Sequence, residues 1–269
     1  LAKDKGIILH VVRLLDDGSI DVEHFSSLLS DKTKLVSFAH VFNAIGTINP
    51  VKELVEKAHE KGALVLVDGA QAVGHFPIDV AAWDVDFYAF SFHKLYGPTG
   101  LGVLYGKKHL LEELPPYQSG GDMVESVSLE KTTFQPPPFR FEAGTPAIAE
   151  IIGAGAALRF LSTWDQNELW QEEKKLIQQL IDRLSTLEHI TLFGHNKRIG
   201  SVMFTVKGMH PLDVGTLLDF KGIAIRTGKH CAEPLLRRFS LAASCRASMG
   251  IYTNEEDIDR LYYALAEMR

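Results

Sequence analysis

Short apolar runs alternate with amphipathic stretches through the first two thirds of the chain. Val36 to His40 is typical of a short strand, and the apolar stripe that follows Pro50 is typical of a helix that begins with proline. The next run, Ala63 to Val67, is wholly apolar and ends at Asp68. Strand, helix and buried strand within about 30 residues predict a βαβ unit, and hence a mainly parallel sheet covered on both faces.

Two more strands and a helix are predicted before the pattern changes. Val85 to Phe90 and Leu101 to Tyr105 are apolar runs separated by a glycine-rich turn. The prolines at Pro136 to Pro138 mark an irregular segment, after which Thr145 precedes a helix rich in small residues. We expect this helix to end an α/β large domain over residues 1–162.

The rest of the chain, residues 163–269, is predicted to form a smaller α+β domain. A long amphipathic helix is expected over Glu168 to Leu187, because its leucines and isoleucines recur on one face. Strands are expected over Ser201 to Val206 and over Ile223 to Arg226, with a helix between them and another at the end.

Two polar patterns concern the helices of this second domain. The acidic segment Glu168 to Glu173 is interpreted as a solvated face. Thr253 with Glu256 three residues later is a capping-box signature, which predicts the start of the last helix.

Composition excludes several classes of protein. The chain has 269 residues, 46% of them hydrophobic and 23% charged, which is enough to bury a sizeable core and does not fit wholesale disorder. The net charge of −6 argues against a nucleic-acid-binding surface, and no apolar run approaches the roughly 20 residues of a membrane-spanning helix. Two cysteines cannot form a disulfide framework, so we expect a reducing compartment, the cytoplasm.

The first chemical motif is DGAQAVGH, residues 68–75. In open α/β sheets ligands bind at the carboxyl ends of strands, where Asp68 is predicted to lie. Its carboxylate is placed to pair with a buried cation, and Gln71 could add a neutral hydrogen bond. An Asp that only caps the next turn explains the motif equally well on its own.

The second motif is SFHKLYGPTG, residues 91–100. Lys94 lies between a buried strand and a Gly-Pro turn, where partial desolvation would lower its pKa and favour Schiff-base chemistry. Ser91 and His93 flank it with donors suited to a phosphate. A surface lysine after an edge strand is the simpler interpretation, but the strand-end Asp68 about 25 residues earlier favours a site.

The third motif is RTGKHCAEP, residues 226–234, followed by CRAS, residues 245–248. Cys231 lies in a polar, basic loop that favours a thiolate, whereas Cys245 follows an apolar run and is expected in the core. Arg246 is suited to a substrate carboxylate. The 11 histidines show no metal-ligand spacing, so no metal is predicted, and the absence of G-x-G-x-x-G after the first strand excludes a nicotinamide-binding fold.

Together with RFEAGTP, these motifs resemble the cysteine desulfurases, specifically the group with a short catalytic-cysteine loop typified by the SufS and CsdA proteins. The resemblance extends over essentially the whole chain, in order. It implies a fold-type-I transferase dependent on pyridoxal phosphate (PLP), of the class-V aminotransferase branch. Its three-layer α/β large domain would bind the cofactor, and its smaller C-terminal α+β domain would carry the catalytic cysteine.

The resemblance also implies how PLP would be held. Lys94 would bind it covalently and later carry protons. Asp68 would pair with the pyridine nitrogen, and Gln71 would hydrogen-bond the phenolic oxygen. Ser91 and His93 would hold the phosphate.

Other implied roles concern the substrate and a second subunit. Asn43 and Arg246 would bind the carboxylate of L-cysteine, with Arg226 nearby. Cys231 would take the sulfur as a persulfide and release L-alanine. Thr145 would reach the phosphate of the other subunit, which makes the enzyme a homodimer. A sulfur-acceptor protein of the SufE/CsdE type is the implied partner, with iron–sulfur cluster assembly as the destination of the sulfur.

The chain departs from the family at its front. The family's Gly-Thr-Thr-like phosphate cradle and PLP-stacking histidine do not occur before Asn43, and the chain opens Leu-Ala-Lys-Asp-Lys without a Met. We therefore expect a longer native protein. Alternatives are a selenocysteine lyase acting on L-selenocysteine, a class-V transaminase and, for the isolated chain, an inactive, cofactor-free fragment that only binds partners.

Overall fold

The computed structural model describes residues 2–268. The first part of the chain contains five helices and six strands within those residues: α1 (Ala2–Lys5), α2 (Val22–Leu28), β1 (Leu35–Ala39), α3 (Val51–His59), β2 (Leu64–Asp68), β3 (Phe87–Ser91), β4 (Gly102–Gly106), α4 (Lys108–Glu113), β5 (Val124–Val127), β6 (Thr132–Phe134) and α5 (Ile148–Ser162).

The first sheet has the order β1-β2-β3-β4. The first three strands are parallel and β4 is antiparallel, which confirms the predicted α/β class with a mainly parallel sheet. Helix α3 buries Val51, Leu54, Val55 and Ala58 in the same core as the strand residues Val65 and Val67 of β2. Strands β5 and β6 form a separate two-stranded sheet.

The second part of the chain continues with four helices and four strands: α6 (Gln166–Leu184), β7 (Ile190–Phe193), β8 (Ser201–Val206), α7 (Pro211–Phe220), β9 (Arg226–Gly228), α8 (Glu233–Arg238), β10 (Ser244–Ser248) and α9 (Glu255–Ala266). Its antiparallel sheet has the order β7-β8-β10-β9. Helices α6, α7 and α9 contribute to one hydrophobic core with this sheet, and Cys245 lies fully buried in that core. The proposed division between residues 162 and 163 falls between α5 and α6. No helix of the described chain is long and apolar enough to cross a membrane.

Two expected element boundaries differ from the structure. Strand β9 begins at Arg226 instead of Ile223, because β10 pairs with β9 only from Ser244 to Arg246. Helix α9 is capped by the Asn254–Asp257 pair, one residue beyond the expected capping box. The hydroxyl of Thr253 is already used, since it accepts a hydrogen bond from the Gly250 N–H at 3.1 Å.

The interpretation of Glu168 to Glu173 as a solvated face is wrong for Glu173. Only 7% of this residue is exposed, and its Oε2 lies 2.9 Å from Nδ1 of His75. Its Oε1 accepts the Gly200 N–H at 2.9 Å. The carboxylate therefore joins α6 both to the segment after β2 and to the start of β8, which a pattern along one helix could not indicate.

We expect Glu173→Ala to lower the free energy of unfolding by about 1–3 kcal/mol, because the Gly200 N–H would lose its buried acceptor. Glu172→Ala is the matched control. Glu172 is exposed and pairs with Lys175 on the same helix, so its removal is expected to cost less than about 0.5 kcal/mol. Urea denaturation measures both values, and equal losses would contradict the structural role of Glu173.

Candidate active site

Three parallel strands end at the same edge of the first sheet. Ala39 of β1 is in register with Asp68 of β2, which is in register with Ala89 of β3. Neighbouring strands lie about 4.8 Å apart, so the segments that follow them begin close together. Those segments carry predicted site residues, as the position of ligand sites in open α/β sheets leads one to expect.

Asp68 lies exposed at the carboxyl end of β2. Its Oδ1 accepts the Ala70 N–H at 2.9 Å, which fixes the start of the following turn. Burial, together with the nearby charge of Asp68, raises the pKa of Tyr88 above its ordinary range. A Cβ at Gly69 would lie 1.9 Å from the Tyr88 ring, so glycine alone allows this turn to approach β3. Gln71 follows, half-buried.

Lys94 ends a single 3-10 turn, Phe92–Lys94, immediately after β3. Its side chain is exposed while Phe92 is buried, so the turn holds the amine at the surface of the site. A Cβ at Gly74 would lie 2.7 Å from the backbone oxygen of Lys94. The segment after Asp68 therefore packs directly on the backbone of Lys94, which brings the first two motifs together.

The neighbours of Lys94 are Ser91, the last residue of β3, and His93, within the 3-10 turn. The Ser91 side chain is half-buried and His93 is exposed. Both lie on the same short segment as the amine.

The cysteine loop connects β9 to α8. Cys231 is exposed, and the backbones of His230 and Cys231 both adopt positive φ values of 53° and 56°. Two consecutive non-glycine residues in this region are uncommon, so the surrounding contacts must hold the loop in shape. Nη2 of Arg226 donates to Sγ of Cys231 at 3.5 Å. Cys245, by contrast, is buried, and burial raises the pKa of its thiol to about 12.

Two guanidinium groups lie on paired positions of neighbouring strands. Arg226 of β9 is directly opposite Arg246 of β10. Within the described part of the chain neither forms an ion pair with a carboxylate. Burial and the charge of Arg226 lower the pKa of Arg246, and Nε of Arg246 is buried without a hydrogen-bond partner in that same part. Such an arrangement suits an anion.

Asn43 connects the strand-end residues to the cysteine loop. Its Nδ2 donates to the backbone oxygen of His230 at 2.6 Å, across 187 positions of sequence. Its own backbone oxygen accepts from Nη1 of Arg246 at 2.8 Å. One short segment after β1 therefore contacts both the loop that carries Cys231 and the strand that carries Arg246.

Sequence reasoning did not single out His230. It is only 2% exposed, and its Nε2 lies 3.0 Å from both the backbone oxygen and the Oγ of Ser244. In sequence it is one polar residue in a polar loop, next to the cysteine. Nothing along the chain indicates that its ring turns into the protein.

Comparison with known proteins places this architecture in a family. The family model described as aminotransferase class-V matches residues 1–261. The chain belongs to the class-V aminotransferase family. A cysteine desulfurase from Escherichia coli strain 536 is 47% identical over 261 residues, which is 97% of this chain and 64% of that protein. The chain therefore spans just under two thirds of the length of this curated relative.

Solved structures agree with that assignment. The crystal structure of the cysteine desulfurase CsdA from Escherichia coli, in an S-sulfonic acid form, superimposes with a TM-score of 0.94 at 38% identity. The alignment covers 98% of this chain and 66% of that one. A variant of C-DES, with glycine covalently linked to the PLP cofactor, has a TM-score of 0.85 at 27% identity, covering 99% of this chain and 69% of its own. The fold-type-I class expected from the motifs is confirmed.

The residues of this class-V aminotransferase domain fit PLP chemically. The strand ends offer a carboxylate for a pyridinium nitrogen, an accessible amine for an aldehyde, and an amide, a hydroxyl and an imidazole for the remaining oxygens: Asp68, Lys94, Gln71, Ser91 and His93. The packing of Gly74 on Lys94 brings the two motifs into contact. In the described residues no group of three His, Cys, Asp or Glu side chains could hold a metal ion.

Thr145 is the remaining residue of the predicted cofactor site. It is exposed in the segment that precedes α5. The first residues of α5 are apolar and also exposed, with Ile148, Ile151 and Ile152 at 57%, 47% and 66%. Thr145 therefore precedes a helix whose first turns expose apolar side chains.

Two histidines buried in this domain predict a pH dependence of stability. Burial lowers the pKa of His40 to about 4, and burial with the charges of Arg246 and Arg226 lowers that of His230 to about 4. Both are neutral when folded but take up protons near pH 6.5 when unfolded. The unfolded state therefore binds more protons between about pH 6.5 and 4. We expect the free energy of unfolding to be highest above pH 6.5 and to fall as the pH falls toward 4.

Urea denaturation at pH 7.5, 5.5 and 4.5 measures this dependence. A His230→Gln variant, which removes one of the two titrating rings, should show a shallower loss over the same range. Equal stability of the wild type at all three pH values would contradict the prediction.

Proposed function

We propose that the protein is a PLP-dependent cysteine desulfurase that converts L-cysteine to L-alanine and leaves the sulfur on Cys231 as a persulfide. One observation carries the proposal: an accessible thiol beside an arginine is joined, through Asn43, to the segment after β1. Strand β1 ends in register with Asp68 of β2, and the turn after Asp68 packs on the backbone of Lys94. A transaminase needs no nucleophile at this place. The names of the similar proteins support the same reaction.

Lys94, Asp68 and Gln71 would hold the cofactor, with Ser91 and His93 on its phosphate. The carboxylate of Asp68, exposed at the end of β2, would keep the pyridine nitrogen protonated. PLP, when bound, supplies an electron sink for carbon atoms next to the substrate amino group. Thr145 would contribute from a second subunit.

The substrate would bind to the two arginines that have no carboxylate partner among the described residues. Arg246, assisted by Arg226, would bind the carboxylate of L-cysteine, because the guanidinium fork matches a carboxylate and neither group has an acidic partner in the described chain. Asn43 is already hydrogen-bonded to both Arg246 and His230, and its amide would complete the carboxylate site. These contacts would point the substrate sulfur toward Cys231.

The thiolate of Cys231 would attack the substrate sulfur. An S–S bond forms, the C–S bond breaks, and the electron pair of that bond stays with the substrate carbon. Protonation of this carbon completes L-alanine, so the sulfur is oxidised and the carbon reduced without an external oxidant. Nη2 of Arg226, 3.5 Å from Sγ, places a positive charge beside the attacking sulfur.

Lys94 is the proton carrier. Its amine lies on a tight turn at the mouth of the site, exposed and therefore free to move between positions on the substrate. A lysine released from the cofactor can take a proton from the substrate α-carbon and return protons to carbon after sulfur has left. Packing of Gly74 against the backbone oxygen of Lys94 fixes the turn from which that side chain extends.

Incubation of the PLP-loaded protein with L-cysteine tests the proposal. We expect L-alanine and sulfide, the latter after reduction of the enzyme persulfide, in equal amounts. 3-Mercaptopyruvate in place of alanine, with the sulfur still on carbon, would indicate transamination, and turnover of L-selenocysteine alone would indicate a selenocysteine lyase. A protein that gains no visible absorbance on addition of PLP would be a cofactor-free binding domain.

The same proposal extends to partners. The exposed apolar start of α5 next to Thr145 fits a contact with a second copy of the chain, consistent with a homodimer. A persulfide on an exposed cysteine is accessible to an acceptor protein of the SufE/CsdE type, which would pass sulfur on to iron–sulfur cluster assembly in the cytoplasm.

A further inference from the structure

The anchoring of the cysteine loop depends on His230. The backbone oxygen of Ser244 can only accept a hydrogen bond, so Nε2 of His230 carries the ring proton and donates to it at 3.0 Å. Nδ1 is then unprotonated, and it is buried without a partner within the described residues. The ring is thus a neutral anchor held at one atom.

The anchor acts on the residue next to it. His230 and Cys231 share the uncommon positive φ values, so fixing the His230 side chain also fixes the direction in which Cys231 leaves the backbone. Asn43 holds the same loop from the opposite side through the His230 backbone oxygen. The result is Sγ at 3.5 Å from Nη2 of Arg226, beside the cross-strand partner Arg246.

We propose that His230 is a positioning residue, which keeps Sγ of Cys231 in the field of Arg226 and Arg246 by bonding the loop to Ser244. This inference rests on the proposed desulfurase reaction, in which Cys231 is the nucleophile. His230 touches neither substrate nor cofactor in this account. It acts on the reaction only by fixing the position of the Cys231 thiol.

Two amide variants separate the anchor from the backbone conformation. His230→Gln places an amide N–H close to the position of Nε2, so it can still bond Ser244. His230→Asn is one methylene shorter and cannot reach, although asparagine tolerates a positive φ better than glutamine does. If backbone strain decides the position of Cys231, the Asn variant should resemble the wild type more closely. If the hydrogen bond to Ser244 decides it, the Gln variant should.

The readout is the ratio of alkylation rates of Cys231 with iodoacetate and iodoacetamide, measured on the cofactor-free chain at low salt. The thiolate attacks both reagents and displaces iodide from each, so the ratio cancels the thiolate fraction and reports the local charge. Near two unpaired guanidinium groups we expect the anionic reagent to be favoured about 10-fold relative to a cysteine in an unstructured peptide. Buried Cys245 does not compete.

We expect His230→Asn to lower the ratio to the peptide value and His230→Gln to keep it. Arg226→Gln should lower it as well, which shows that the charge is the cause. Lys229→Gln, which removes a charge paired with Glu233 from the same loop, should change the ratio less than His230→Asn. A wild-type ratio in His230→Asn, or a peptide-like ratio in His230→Gln, would overturn the proposal.

His230→Ala is a second short variant, and only variants with the far-UV circular dichroism of the wild type are compared. If both short variants unfold, the ratio in His230→Gln decides alone.

In the PLP-loaded protein, His230→Asn should lower kcat with L-cysteine about 10²-fold with little change in KM, and His230→Gln should restore it. If the wild type has no desulfurase activity the proposed function fails, while the alkylation ratio still decides the role of His230.

Discussion

Replacing Cys231 with Ala is expected to reduce sulfur transfer from L-cysteine by at least about 10³-fold, because no other described thiol can take the sulfur. Cys245 is buried in the small-domain core, and burial raises the pKa of its thiol to about 12. The proposed cofactor contacts lie on the strand ends of the other sheet, so the visible absorbance of bound PLP should be unchanged. Alanine formation and reducible sulfide measure the loss.

Cys245→Ala is the matched control for this variant. It removes a sulfur from the core, which should lower stability, but it leaves the loop of Cys231 and the arginines in place, so sulfur transfer should continue. L-Selenocysteine is unsuitable as the test substrate, because its C–Se bond breaks more readily and selenium can leave without the thiol. Full desulfurase activity in Cys231→Ala would exclude the proposed mechanism.

Lys94→Ala is expected to abolish both the visible absorbance of lysine-bound PLP and turnover of L-cysteine, by about 10⁴-fold or more. In the proposed mechanism the side chain serves as attachment point and as proton carrier, and no second described lysine lies on the turn after β3. Because it is exposed, its removal should change the free energy of unfolding by less than about 0.5 kcal/mol. Absorbance, alanine release and urea denaturation measure the three effects.

Lys108→Ala is the control for loss of a lysine near this sheet. Lys108 is exposed at the start of α4 and, among the residues that the structure describes, pairs only with Glu112 one turn later, so both absorbance and turnover should be retained. Free amines such as methylamine, added to Lys94→Ala, should restore part of the turnover if the missing group is a proton carrier. Undiminished absorbance at the wild-type position in Lys94→Ala would contradict the attachment.

Much of the fold follows from patterns along the chain. The predicted runs at β2, β3 and β8 correspond to strands within two residues at each end, because buried strands must be apolar over their full length. The start of α7 at Pro211 also follows from the sequence. The start of β9 and the cap of α9 do not, since each depends on which partner a strand finds or which hydroxyl is already bonded.

The candidate site also contains residues that the sequence predicts and residues that it does not. Strand-end residues such as Asp68 and Lys94 were predictable, because strand ends are visible in the sequence and ligands bind there. The burial of Glu173 and of His230 was not predictable, because each depends on contacts with other segments of the chain. A charged or polar residue in a polar stretch gives no sign that its partner lies elsewhere in the fold.

The sequence by itself therefore determined the first sheet, the long helices and the two cysteines with opposite environments. Only the tertiary structure decided that Asn43 meets a loop 187 residues away, that Arg226 stands opposite Arg246, and that His230 turns inward to Ser244. The physical reason is the separation along the chain over which each interaction acts. Periodicity and turn chemistry act over a few neighbouring residues, whereas the position of the Cys231 thiol depends on strand register and on hydrogen bonds that form only after the two sheets have come together.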